Sequence, residues 1–456
     1  MPKPAASGGA SMSPETPPRP AVVVDRSRRI GWVVIAVAFA IGFAIRGQLI
    51  PAEGLRGDLD QFVGWVHHIA TQGLGSLYSG TDAGPVTFGP VMAYIWGILA
   101  AIQPAFATAT DASDEVVRTF MKVPATLADL AMAAIVVYAF RQHRTWAAVA
   151  AVAILLHPAI IYVSAWWGQY ESIFVLSALA ALVLAINGHN GPAAALVAVS
   201  LMTKPQAIPF VIPFAAWFWA TGYRRGGAAG NVRGGVLELA RTGLIGLGVI
   251  VVLWLPFIPA GGPENYLHNL ATYQNEIFNV LSLRAWNAWW LVQEAGAGGG
   301  FAADDIAFLG PFTMRHVGFA VTGVLSIWIA WAILRNPRPR TLILGLTASV
   351  MVFFSFMTQM HERYGYAAVV LLVLLLPDTR PRWLWVLLGV GFTVNLLAAV
   401  PPTPGVGELL PVAGPLGIAG SIATLVLTSM TLVAVRTRPG PSVDAAAPGA
   451  PVRSTP

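Results

Sequence analysis

The chain has 456 residues, of which 56% belong to the set Ala, Val, Ile, Leu, Met, Phe, Trp, Tyr and Cys, and only 11% are charged. A soluble fold of this length cannot cover its surface with so few charges, and a mean hydropathy of +0.66 points to an all-α polytopic membrane protein in contact with the lipid bilayer. The net charge of +6 comes without a basic stretch interleaved with aromatics, so no nucleic-acid partner is expected, and the lack of cysteine excludes disulfides and thiolate chemistry.

In chain order, residues 1–25 are rich in Pro, Ala and Ser and read as a disordered cytoplasmic tail, as do residues 439–456. Between them, 26–438 reads as a single transmembrane domain. Arg26, Arg28 and Arg29 precede the first apolar run, Ile30–Ile50. That run is about as long as a bilayer span and follows a long leader, which favours an uncleaved anchor over a signal peptide. Further apolar runs lie at 88–104, 116–140, 146–163, 171–187, 192–203, 206–222, 236–258, 312–334, 341–358, 364–377, 381–399 and 413–435.

Short cytoplasmic loops collect Lys and Arg. Arg141-Gln142-His143-Arg144, Tyr223-Arg224-Arg225, Arg335-Asn336-Pro337-Arg338, Thr379-Arg380-Pro381-Arg382 and Arg436-Thr437-Arg438 therefore all read as inside. They agree only if 88–104 does not cross the membrane. It then lies within one long outer loop, 51–115, and a second outer loop covers 259–311. The expectation is about twelve spans in the plasma (inner) membrane, with both termini cytoplasmic.

On this topology eight bases stand against the positive-inside tendency: Arg46, Arg56, Arg118, Lys122, Lys204, Arg284, Arg315 and Arg363. Each has a bland reading, snorkelling or pairing with a nearby acid, and a functional one. Lys122, Lys204 and Arg363 lie in or beside apolar spans near their outer ends, where they suit an anion such as a lipid phosphate.

Six segments carry candidate chemistry. Asp58 and Asp60, in Gly57–Trp65 after the first span, are two carboxylates at i and i+2 near the outer surface. They suit a general base with a supporting acceptor, or metal ligands, or simply a helix N-terminus. Phe88-Gly89-Pro90-Val91-Met92-Ala93-Tyr94 opens the non-crossing helix. Ser164-Ala165-Trp166-Trp167-Gly168-Gln169-Tyr170-Glu171 lies at an outer edge, where Trp is by default an aromatic belt but Gln169 and Glu171 need partners. Thr203-Lys204-Pro205-Gln206 lies at another outer edge. Met360-His361-Glu362-Arg363-Tyr364 occupies a very short outer turn and reads either as a self-paired Glu–Arg turn or as a phosphate-facing cluster. Arg284–Trp290, with Asn287, is rich in aromatics that lie on the membrane or line a sugar site. Asp129, in mid-span, reads as a helix–helix polar contact. No Walker A, GxGxxG, HExxH or GxSxG pattern occurs.

This ordered set, over residues 30–435, resembles the GT-C superfamily of integral-membrane glycosyltransferases, and in particular its bacterial polyprenyl-phosphate-mannose-dependent members. Asp58 stands seven residues before Trp65, matching the superfamily's outer-loop acid and Trp, and Asp60 matches its second acid. Phe88–Tyr94 is similar to its Tyr-Pro-Pro-x-x-x-Tyr motif but departs at Phe88 and Gly89. His361-Glu362-Arg363 is similar to its His-Glu-Lys motif, with Arg for Lys. The Trp-Gly-Gln and Lys-Pro-Gln segments and the stretch at Asn287 are similar to mannosyltransferase members. The resemblance implies Asp58 as catalytic base with Asp60 beside it. It implies Lys122, Lys204, His361 and Arg363 on a donor phosphate, and Tyr94, Gln169, Glu171, Gln206, Glu362 and Asn287 on sugar or acceptor. The expected partners are a polyprenyl-phosphate-linked sugar donor and a glycolipid or glycan acceptor, with no metal and no cofactor. A transporter or flippase for a lipid-linked or anionic solute is the rival from another class. An O-antigen ligase or polymerase is the rival of related chemistry.

Overall fold

The computed structural model describes residues 21–225, 227 and 230–437. Helix α1 (Ala21–Leu49) begins inside the expected tail, so residues 21–25 are helical rather than disordered. The rest of that tail and 439–456 lie outside the described residues.

The segment expected to form the first outer loop folds into two short helices, α2 (Arg56–Gln72) and α3 (Pro90–Ile102). On α2 the buried Leu59, Phe62, Val63, Val66 and Ile69 recur at helical spacing, giving one apolar face. That face packs with α3 and the chain beyond it through a ring cluster of Phe62, Trp65, Phe88, Trp96 and Tyr170, with centroids 5.1–6.3 Å apart. α3 has 13 residues, about 20 Å of helix, which is short of a hydrocarbon core of about 30 Å.

Helix α4 (Glu115–Ala139) starts at Asp114, whose carboxylate caps the amides of Val116 and Val117. α5 (Arg144–Leu155) and α6 (Pro158–Ile161) follow, and α6 runs into a π-helical turn, Tyr162–Trp167. The two are bent by 47° at the break before Pro158, where proline cannot continue the ladder. Next come α7 (Glu171–Ile186), α8 (Asn190–Leu201), α9 (Val211–Arg224) and α10 (Val232–Trp254). The chain from 262 to 313 holds α11 (Gly262–Thr272), β1 (Ser282–Leu283), α12 (Ala288–Ala297), β2 (Ala307–Leu309) and β3 (Phe312–Thr313). The chain ends with α13 (Met314–Arg335), α14 (Pro339–Phe356), β4 (Met360–His361), α15 (Tyr366–Leu372), α16 (Thr379–Ala399), α17 (Pro404–Leu409) and α18 (Pro415–Arg436). β1 pairs in parallel with β4, and β2 pairs antiparallel with β3.

Seven described helices are long and apolar enough to cross a membrane, or eight if the bent α5–α6 pair is one span. The other four expected spans fall on shorter pieces: α7 with 16 residues, α8 with 12, α9 with 14 and α15 with seven. α15 shows why hydropathy overstates length here. Every residue from Tyr366 to Leu376 is buried in protein, so this run is apolar because it is core.

All eight bases singled out by side have partners. Arg46 pairs with Asp129, Arg56 with Asp60, Lys204 with Glu171, Arg315 with Asp304, and Arg363 with Glu171 and Glu362. Arg118, Lys122 and Arg284 donate to backbone carbonyls.

Candidate active site

Asp58 stands in the first turn of α2, where the unpaired amides of a helix start favour negative charge. Its Oδ2 accepts from the indole of Trp167 (2.9 Å) and the amide of Gln169 (2.5 Å). Both donors come from the turn that leaves α6. Gly168 between them has φ +89°, and a Cβ there would sit 2.7 Å from Leu59 Cδ2 and 2.9 Å from Lys122 Cγ. Glycine is thus required to bring both donors onto one carboxylate. The side chain of Asp58 is only half-buried, and among the described residues no donor is paired with Oδ1.

A second group lies in the next shell of the same cluster. Glu171 Oε1 is 2.5 Å from Lys204 Nζ and 3.3 Å from Arg363 Nε. Arg363 Nη1 reaches Glu362 Oε1 and donates to His361 Nδ1, both at 3.1 Å. The Arg363 guanidinium lies 5.0 Å from the Trp167 ring centroid and 5.5 Å from that of Tyr364. Lys204 Nζ lies 5.2 Å from the Phe88 ring and 5.7 Å from the Tyr364 ring. The Gln206 side chain lies beside the Tyr364 phenol. Within this cluster, three buried acceptors lack a partner among the described residues: Gln169 Oε1, Glu171 Oε2 and Gln206 Oε1.

Local folding explains how distant segments meet. The backbone of Gly89 and Val91 donates to the carbonyls of Thr203 and Met202, at 3.1 Å each. A Cβ at position 89 would collide with the Met202 carbonyl. The Gly89 that departs from the superfamily pattern is therefore what lets the Phe88 segment lie against Lys204. The His361 turn is held by the parallel pairing Ser282↔Met360 and Leu283↔His361. Gln359 enters it at φ +64° and is pinned by its side chain to the Gln274 carbonyl and Asp304.

Burial, with Arg363 and Lys204 close by, holds the His361 imidazole well below its usual range. Since Nδ1 accepts from Arg363, the neutral ring carries its proton on Nε2. Burial pushes the Glu362 carboxyl up, against the pull of Arg363.

Of the expected residues, the structure assembles Asp58, Gln169, Glu171, Lys204, Gln206, His361, Glu362 and Arg363. Four others spend their polar groups on other partners. Asp60 is two residues from Asp58 on a helix, hence about 200° around the axis, and its Oδ1 accepts from Arg56 and the Ala112 amide. The two carboxylates hold separate sets of partners. Lys122 spends its ammonium on the Ala52 and Trp166 carbonyls, at 2.6 and 2.7 Å. Tyr94 donates to the Leu253 carbonyl. Asn287 caps α12 and donates to the Phe354 carbonyl. Among the described residues, no three of His, Asp and Glu converge as metal ligands would.

The sequence reading missed Trp167, which it assigned to the aromatic belt. The adjacent glycine, flanked by Trp and Gln, was the available signal. Asp129 is the helix contact expected, and more. It accepts from Arg46 Nε (2.9 Å), Ser164 and Ser172 (2.5 Å each) and Tyr366 (3.2 Å), all buried. Those partners stand three residues before Trp167, one after Glu171 and three after Arg363, so one carboxylate ties together the segments beneath the site.

The family model described as "ALG6, ALG8 glycosyltransferase family" matches residues 88–398, more than half of the chain. Asp58 lies before the matched region. No curated protein matches. Among solved structures, ArnT from Cupriavidus metallidurans bound to undecaprenyl phosphate aligns at 14% identity and a TM-score of 0.46, covering 89% of this chain and 77% of that one. The oligosaccharyltransferase of Archaeoglobus fulgidus in its apo form aligns at 13% identity and 0.42, covering 91% of this chain and 57% of that one.

Proposed function

The chain belongs to the ALG6, ALG8 glycosyltransferase family, within the GT-C superfamily of membrane glycosyltransferases, and from that premise we propose that it transfers a sugar from a polyprenyl-phosphate donor to an acceptor hydroxyl at the extracytoplasmic membrane face. The observation that carries this reading is the convergence of a half-exposed carboxylate, Asp58, with Lys204, Arg363 and the neutral His361 from two other segments.

Asp58 Oδ1 takes the proton of the acceptor hydroxyl. The acceptor oxygen forms a bond to the anomeric carbon from the face opposite the phosphate. The carbon–oxygen bond to phosphate breaks, its electron pair leaves with the phosphate oxygen, and the configuration inverts. Trp167 and Gln169 hold Asp58 in place. Arg363, Lys204 and the Nε2–H of His361 stabilise the charge that grows on the departing polyprenyl phosphate. Gln169, Glu171 and Gln206 offer their unpartnered oxygens to sugar or acceptor hydroxyls. In this reading both termini are cytoplasmic and these groups face outward, which the Lys- and Arg-rich short loops support. Mannose is the first candidate sugar, by resemblance of the Trp-Gly-Gln and Lys-Pro-Gln segments. The test supplies membranes carrying the protein with radiolabelled polyprenyl-phosphate mannose, glucose and arabinose and resolves products by thin-layer chromatography. A new labelled glycan or glycolipid from one donor supports the reading. No product from any of them refutes it.

A further inference from the structure

Residues 306–313, Ile-Ala-Phe-Leu-Gly-Pro-Phe-Thr, contain no charged side chain, although they sit in a segment whose acids Asp304 and Asp305 lie just before and whose Arg315 lies just after. They form the antiparallel hairpin β2–β3, turning at Gly310 with φ +55°. Its large side chains are bare: Ile306 is 50% exposed, Phe308 60%, Leu309 71% and Phe312 59%. A hairpin facing water carries polar residues on its outer side, and a bare apolar patch marks a covered surface.

Continuity says what covers it. β3 passes directly into α13 at Met314, one of the helices long and apolar enough to cross the membrane. The outward side chains of α13, Phe319, Val324 and Ile327, are exposed in the same way, as a lipid-facing strip must be. The hairpin extends that strip. Its base is closed by hydrogen bonds of the Met314 and Arg315 amides to the Ile306 and Asp304 carbonyls and by the paired Arg315–Asp304 side chains.

We propose that the β2–β3 hairpin inserts its apolar tip into the acyl region of the leaflet that meets the start of α13. This rests on α13 being a span and is independent of the glycosyl-transfer reading. The hairpin also reaches the candidate site. Asp304, at its base, accepts from Thr358 Oγ1 (2.6 Å) and Gln359 Nε2 (3.0 Å), just before His361. Insertion thereby fixes the depth of the His361 turn relative to the lipid.

The chain lacks cysteine, so Phe308→Cys supplies one labelling site on an exposed side chain. Thr110→Cys, on an exposed loop residue, is the control. Each variant of the full chain, labelled with nitrobenzoxadiazole, is reconstituted in phosphatidylcholine vesicles. Label at 308 is expected to emit to the blue of the control, to lose intensity to acyl-chain nitroxide lipid and to resist aqueous iodide. Quenching by iodide and not by the nitroxide lipid overturns the proposal. A label that neither quencher reaches also overturns it, because the tip is then covered by protein, such as a second copy.

Discussion

Lys204 Nζ lies 2.5 Å from Glu171 Oε1, with both side chains buried. Glu171 also approaches Arg363, so one carboxylate restrains Lys204 and shares the restraint of Arg363 with Glu362. Glu171→Gln removes that restraint. It is expected to tighten inhibition by polyprenyl phosphate and to lower the thermal midpoint, since breaking a buried ion pair costs about 3–5 kcal/mol. Product-inhibition kinetics and a melting curve in detergent check both effects. Unchanged inhibition would remove Glu171 as the restraining group.

Asp129→Asn keeps the shape of the side chain but leaves Arg46 buried without its counter-charge. The expected loss is again about 3–5 kcal/mol, read as a lower unfolding midpoint. Replacing both Arg46 and Asp129 by apolar residues is expected to cost less than the single change. A single variant as stable as the parent contradicts the hub.

His361 gives a pH dependence of defined sign. In the fold its imidazole is held well below the ordinary value of 6.5, while the unfolded chain takes up a proton near that value. Stability contributed by neutral His361 is therefore complete above 6.5 and declines as pH falls below it. Glu362, pushed up by burial, contributes a slope of opposite sign. The difference between the parent and His361→Gln isolates the histidine. The variant is expected to lose less stability on acidification between about pH 7 and 5, and equal slopes contradict the assignment.

Topology is tested with single cysteines at the exposed Asp82 and Thr110, one on each side of the segment 88–104. They are expected to react with impermeant maleimide from the same face of the membrane. Reaction from opposite faces means that the segment 88–104 crosses.

Much of this arrangement was legible in the sequence. Asp58 with Trp65, the His361–Arg363 turn and the bases set apart from the short basic loops are local patterns that can be read without coordinates. Asp60 did not survive, because a pair at i and i+2 is adjacent on paper and opposed on a helix. Lys122 and Asn287 were misplaced because a lone polar side chain near an apolar run looks the same whether it meets a ligand or a backbone carbonyl. The length of α15 was overread because hydropathy does not separate lipid from protein interior. The Trp167–Asp58 contact joins residues 109 apart, and no local pattern reports it.

The central claim is that Asp58 is the base. Asp58→Asn preserves an acceptor for Trp167 and Gln169 but cannot take up a proton at neutral pH. The decisive measurement is the rate of sugar transfer from a polyprenyl-phosphate donor by purified, folded Asp58→Asn beside the parent. The account predicts no transfer above background with an unchanged melting curve. Transfer at the parental rate would contradict it.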